Sequence, residues 1–287
     1  MRTRRGAILL AAALVAAAVP MRAQTWRNLT SSRQLHGETS LSVEVSYAVG
    51  EFRLTAAPEG TLYRMDLRYD EDRFTPVRSY DPDEGHLVLG MRGPARGVKL
   101  GGRNDEPLPS LDVQLTPEVP VALNLDLGAV RSDVDLGGLV LTRLRYRTGA
   151  SETELRISRP NAGACDELRL EAGAAAFRAW SLGNANCRRV SFEGGVGDVT
   201  LDLSGSWRGE MAVDLRVAMG TLTLMLPRDA GVAVRMSRFL ASFQRTGLVK
   251  RGDVLYSPGY DAAQRYLTID VQATFGSVDV VWTGPGR

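Results

Sequence analysis

The strongest constraint on this chain is a repeat. The segment VSFEGGVGDVTL, residues 190–201, reads as a short alternating strand, a glycine-rich turn and a second alternating strand. Counted from Val190, apolar residues fall at offsets 0, 2, 9 and 11: Val190, Phe192, Val199 and Leu201. The same grid restarts at Leu125, Tyr146, Leu168, Val213, Val234 and Ile269, at intervals of 21 to 23 residues before a last one of 35. Offset 9 reads Val134, Leu155, Phe177, Val199, Leu222, Phe243 and Val278, whereas Arg245 is a misfit at offset 11.

Alternation with period two means one buried and one wet face in each strand. A fixed period near 22 residues means that a unit cannot bury its own face and must stack on its neighbours. The expected fold is therefore all-β, a β-solenoid of about seven two-strand coils. Corner glycines (Gly128, Gly149, Gly173, Gly194, Gly195) are expected to supply positive φ where the path turns. An antiparallel meander of stacked hairpins would show the same alternation.

The two cysteines separate these alternatives. Cys165 precedes Leu168 by three residues, and Cys187 precedes Val190 by three. In a solenoid, equivalent positions of adjacent coils lie about 4.8 Å apart, inside the roughly 4.4–6.8 Å Cα window of a disulfide. In a meander they lie about 9.6 Å apart, too far to bond. A Cys165–Cys187 bridge with a structural role is expected, as befits the only two cysteines of an exported chain.

Export is read from the N-terminus. Arg2, Arg4 and Arg5 precede an apolar run from Ala7 to Val19, too short to span a bilayer comfortably, and Ala23 suits cleavage. Residues 1–23 are thus expected to be a signal peptide, leaving no integral membrane span after cleavage; a retained signal anchor is the alternative. They carry four arginines and no acid, so their removal takes the formal charge from +2 to −2. That balance gives no nucleic-acid footprint. Periplasm, outer surface and extracellular medium all fit an exported chain.

The first copy of the grid lies at Leu41–Leu54, within residues 24–118, which read as an N-terminal β module capping the repeat region of residues 119–287. The Gly-, Pro- and Asn-rich stretch Pro94–Pro109 is the best boundary or long loop. The interval of 35 contains an extra loop, Thr246–Arg265. Long loops on rigid scaffolds are where binding tends to reside, so Arg251, Asp253, Tyr256, Pro258, Gly259 and Tyr260 form the candidate binding site. The tripeptide Arg251-Gly252-Asp253 is read as a Gly-Asp turn. The long loop is also expected to block the last strand, Val278–Trp282, against edge pairing; the alternative is that this end is a site for pairing with another chain.

The segments LSVEVSYAVGEFRL, LDLGAVRSDVDL, VSFEGGVGDVTLDLS and VDLRVAMGTLTLMLP, followed by SPGYD, resemble the bacterial toast-rack domain family. They are similar also to the C-terminal domains of Lia-type cell-envelope stress proteins and to adhesin-like domains. The resemblance covers about residues 40–284. It implies a solenoid-like β fold in the bacterial envelope and no established catalytic residues. The chain lacks the transmembrane helices that precede the domain in Lia-type proteins, which argues against a membrane-embedded signalling role.

Chemistry is sparse. The two histidines, His36 and His86, lie in different segments, and with the cysteines bonded no metal-ligand cluster remains. No nucleophile elbow and no strand–glycine loop–helix unit occurs, so neither catalysis nor a cofactor is expected. The sharpest enzymatic idea places Asp133 and Glu154 at offset 8, with Asp198, on adjacent coils about 5 Å apart, near the spacing of a retaining glycosidase pair. Arg156 and Arg178 stand close enough to make them surface ion pairs instead. The expected role is a non-enzymatic envelope interaction or adhesin-like scaffold, its partner an envelope protein or glycan. An envelope-stress sensor or modulator, and a polysaccharide-acting enzyme, are the alternatives.

Overall fold

The computed structural model describes residues 25–93, 107–244 and 246–284. The expected signal segment, most of Pro94–Pro109, and Arg245 lie outside the described residues. The fold is all-β and open, a single sheet of fifteen strands. The chain runs through β1 (Trp26–Gln34), β2 (Leu41–Ala56), β3 (Thr61–Asp70), β4 (Thr75–Asp81), β5 (His86–Arg92) and β6 (Ser110–Leu115). The long strands β7 (Pro120–Asp135), β8 (Val140–Arg156), β9 (Cys165–Trp180), β10 (Cys187–Asp202) and β11 (Glu210–Pro227) follow. The chain then forms β12 (Gly231–Gln244), β13 (Val249–Arg251), β14 (Val254–Tyr256) and β15 (Tyr266–Thr283).

The body of the sheet is the parallel series β2, β7, β8, β9, β10, β11, β15, β12. Each member is a single continuous strand, yet it bends in the middle. Tyr146 and Thr153 of β8 are seven residues apart and their hydroxyls hydrogen-bond at 3.1 Å. Seven residues of straight strand would span about 23 Å. The burial alternation slips by one residue at the bend: in β9, Leu168, Leu170 and Ala172 are buried, then Ala175, Phe177 and Ala179. The slip keeps the apolar side inward on both arms, so the two arms enclose the core between them. The buried side chains form one continuous cluster along the stack.

The register corrects the phase of two repeat units. Leu168 pairs with Leu144, and Leu144 with Leu123, so the units counted from Tyr146 and Leu125 begin two residues earlier. Offset 9 then contains Ser132 and Thr153, both buried. Their hydroxyls lie 3.0 Å apart, and the Tyr146 phenol closes the triangle at 2.6 Å and 3.1 Å. Polar atoms inside a core are tolerated when they satisfy one another. Because the period is two, Val134 and Leu155 fit the apolar grid as well in either phase.

The corner glycines act by lacking a side chain, and their φ angles are not positive. A Cβ on Gly149 would crowd the carbonyl of Gly128, one on Gly173 that of Gly149, and one on Gly195 that of Gly173. Positive φ belongs to a column two residues further on, at Gly197 (145°), Gly220 (132°) and Gly276 (117°).

The end of the stack also differs from the expected order. β15 lies between β11 and β12, so spatial order departs from chain order and β12 is the last long strand. Of the expected terminal strand, Val278 and Asp279 lie between β11 and β12, whereas Val280, Val281 and Trp282 pair with β11 alone among the described strands, and the Trp282 indole donates to the Thr246 carbonyl at the start of the extra loop at 2.7 Å. Val213, Ile269 and Val234 fit the grid equally, and nothing in the alternation distinguishes their places. At the other end, β5 pairs with the first arm of β2 and β6 with the second. Antiparallel β4 and β3 then cover β5 and β6, and β1 covers β3.

Cys165 and Cys187 are register partners and are disulfide-bonded, with Cα atoms 4.2 Å apart. Beside them the return loops form a ladder of their own. Buried Asn161 donates to the carbonyls of Leu141 and Ala185 and accepts from the Leu141 amide.

Candidate functional site

The extra loop is a closed structure anchored to the end of the stack. β13 and β14 form a hairpin whose turn is Gly252-Asp253, with Arg251 opposite Val254 and Gly252 at φ 64°. The Arg-Gly-Asp tripeptide is thus the tight turn of a hairpin. β14 pairs antiparallel with β12 through Tyr256–Ala233 and Leu255–Val234. Leu248 and Leu255 are buried beneath the hairpin. Ser257 fixes its exit: the Ser257 amide donates to the Val232 carbonyl at 2.8 Å, and its hydroxyl accepts from the Val232 amide at 2.9 Å.

Above this anchor Tyr256, Tyr260 and Tyr266 form a half-buried row, edge to face, with centroid separations of 4.7 Å and 5.3 Å. The Arg251 guanidinium lies over the Tyr256 ring at 5.3 Å and pairs with Asp261 at 3.0 Å. Burial, then the neighbouring Tyr256 and Tyr266, raises the pKa of the Tyr260 phenol and keeps it a neutral hydrogen-bond donor. Of the six candidate residues, the structure gathers Arg251, Tyr256 and Tyr260. Asp253 sits at the hairpin tip, and Pro258 and Gly259 lie in the exposed turn before Tyr260. Tyr266 and Asp261 complete the group and were legible only as further aromatic and acidic residues near the loop. An aromatic row with a guanidinium at one end suits stacking against a sugar ring or an extended peptide.

The acid pair is held differently. Asp133 and Glu154 are register partners, but Glu154 aligns with Arg178, and Asp198 belongs to the column of Glu152. The Arg156 guanidinium stands between the two carboxylates, 2.6 Å from Asp133 and 3.3 Å from Glu154. It engages one oxygen of each carboxylate and joins the two as an ion-paired cluster. An open groove nearby is lined by Glu51, Arg53, Ser110, Asp112, Arg131 and Asp133. Burial raises the pKa of Asp112, with Asp66 and Glu51 adding to the shift and Arg53, 3.8 Å away, opposing it. Among the described residues no cluster of three or more His, Cys, Asp and Glu is placed to hold a metal. No helix among them is long and apolar enough to cross a membrane.

Residues 22–177 match the family described as the N-terminal domain of toast_rack, DUF2154. Residues 177–280 match the family described as cell wall-active antibiotics response LiaF, C-terminal. No curated protein matches the chain. Solved structures with a similar course include a candidate cell adhesion protein from Clostridium sporogenes, 16% identical, with a TM-score of 0.45 over 90% of this chain and 100% of that one. A candidate adhesin from Bacteroides fragilis is 8% identical, with a TM-score of 0.39 over 89% of this chain and 97% of that one.

Proposed function

We propose, from the premise that this chain belongs to the toast-rack family, that it is an exported envelope protein which binds its partner without chemical turnover. In this reading the seven bent strands of residues 119–287 are the coils of a β-solenoid, residues 24–118 cap it, and the 246–265 loop makes an adhesin-like contact with an envelope protein or glycan. The row of Tyr256, Tyr260 and Tyr266 beside Arg251 carries the reading, because it is a preformed aromatic surface on a rigid support. The disulfide supports an oxidising compartment. A second reading, an envelope-stress sensor or modulator, is favoured by the LiaF-type match over residues 177–280, which bear the loop.

The test is retention of the purified chain on isolated bacterial envelope fragments, beside a Tyr256→Ser/Tyr260→Ser variant. Contact through the row predicts retention by the wild type and about tenfold less by the variant. Equal retention moves the contact elsewhere, and no retention ends the reading. A sensor would in addition co-purify with a membrane kinase.

A further inference from the structure

The two ends of the stack are finished differently. At the β2 end, antiparallel strands cover both arms. At the β12 end, β14 covers Ala233 and Val234 only. From Arg235 to Gln244, β12 pairs with β15 on one side, and no described strand pairs with it on the other. The Ala241 carbonyl there accepts a hydrogen bond from the Arg238 guanidinium of its own strand at 3.3 Å. An edge of this length presents a row of backbone donors and acceptors able to take another strand.

Two further observations fall on the same edge. The first is an apolar ridge along the corner of the stack. The register column Val196, Met219, Phe275, Leu240 is 55%, 49%, 40% and 63% exposed. In earlier strands the same column holds the smaller Ala150 and Ala174. Phe239, 75% exposed, stands perpendicular to Phe275 with centroids 6.2 Å apart. The ridge is therefore widest at the open edge. The second is charge: the described residues of β12 carry exposed Arg235 and Arg238 and no acid, and while Arg235 pairs with Asp270 of β15 at 3.5 Å, Arg238 meets only the Ala241 carbonyl of its own strand.

We infer that the open edge of β12 is a docking site for an extended segment of another protein, added as a further strand, in which acidic residues alternate with apolar ones. The backbone row calls for a strand, since lipid tails cannot satisfy amide and carbonyl groups. The apolar residues of the segment would continue the Phe239–Leu240 ridge, and an acid of the segment would face Arg238. A second copy of this chain fits poorly, because pairing β12 with β12 would bring the arginines of both strands together. The site lies beside the tyrosine row and does not include it, so the inference stands or falls separately from the loop reading.

The experiment uses the purified chain and a fluorescent ten-residue peptide alternating glutamate with valine and isoleucine. Strand addition predicts saturable binding and slowed amide exchange confined to residues 235–244. Arg238→Glu, an exposed position, should weaken binding about tenfold, as should lysine in place of glutamate in the peptide. Thermal unfolding of the variant checks that its fold is intact, and Arg238→Lys should retain most of the affinity. The proposal is overturned by equal binding of the lysine peptide, or by binding without protection of 235–244. It is overturned equally by self-association in place of peptide binding, or by binding to anionic lipid vesicles while the peptide is ignored.

Discussion

Gly220 and Gly197 are register partners whose backbones approach so closely that a methyl group on the first would overlap the carbonyl oxygen of the second. Gly220 also holds φ at 132°, a region L side chains rarely adopt. Gly220→Ala therefore meets a steric and a conformational cost together. A loss of about 3 kcal/mol or more is expected, read as a lower midpoint in urea denaturation. Gly252→Ala, where open space surrounds the added carbon, should lose less.

The disulfide joins neighbouring strands whose pairing does not depend on it. Cys165→Ala/Cys187→Ala should keep the parallel register and lose about 3 kcal/mol by the chain-entropy estimate. Denaturation with and without reductant should then differ for the wild type and coincide for the double variant.

Burial raises the pKa of the Tyr146 phenol, against the hydrogen bonds from Ser132 and Thr153, and burial raises that of Tyr47 too. Above the ordinary tyrosine pKa of about 10, the unfolded chain releases these protons while the folded chain retains them. Stability is thus fully present below that pH and falls as pH rises past it. Tyr146→Phe should cost about 1 kcal/mol at neutral pH and flatten the decline above it, measured as thermal midpoints from pH 7 to 11.

Asn161 ties the return loops through both its amide hydrogens and its oxygen. Asn161→Ala leaves buried backbone groups without partners, and a loss of about 2–3 kcal/mol is expected. Amide exchange should quicken first at Leu141.

The Arg156 cluster should behave as a surface feature. Its side chains are between 37% and 49% exposed, so Arg156→Ala should change stability by less than about 1 kcal/mol, and less still in high salt. If the cluster has no catalytic task, Glu154→Gln will release as little sugar from cell-wall material as the wild type does. Release by the wild type alone would restore the enzymatic reading.

Much of this fold was legible because inward positions repeat. The grid located the arms of β9, β10 and β11, and the phase of Cys165 and Cys187 anticipated parallel stacking. What stayed hidden has a common cause: the signal was apolar or polar with period two. Such a signal cannot tell Leu144 from Tyr146 as the start of a unit, or reveal that Ser132 and Thr153 are buried with a phenol between them. Nor can it rank strands that satisfy the grid equally, which is why β15 and β12 exchange places. In the candidate site, the aromatic character of the loop was visible, but the meeting of Arg251, Tyr256 and Tyr260 depends on a hairpin and a short helical turn. The Arg156 bridge depends on rotamers, which alternation does not encode.

The placement of β15 between β11 and β12 sets an order of events during synthesis. A chain emerging from its N-terminus can stack β2 through β11 strand by strand as each arrives. β12 emerges next, but its long partner follows it in the chain, so until residues 266–283 arrive its only described strand pairing is that of Ala233 and Val234 with β14. A nascent chain halted between those two segments would hold a stack ending at β11 and a β12 without its long partner. The eighteen-residue strand β15 is thus the keystone that joins β12 to the stack.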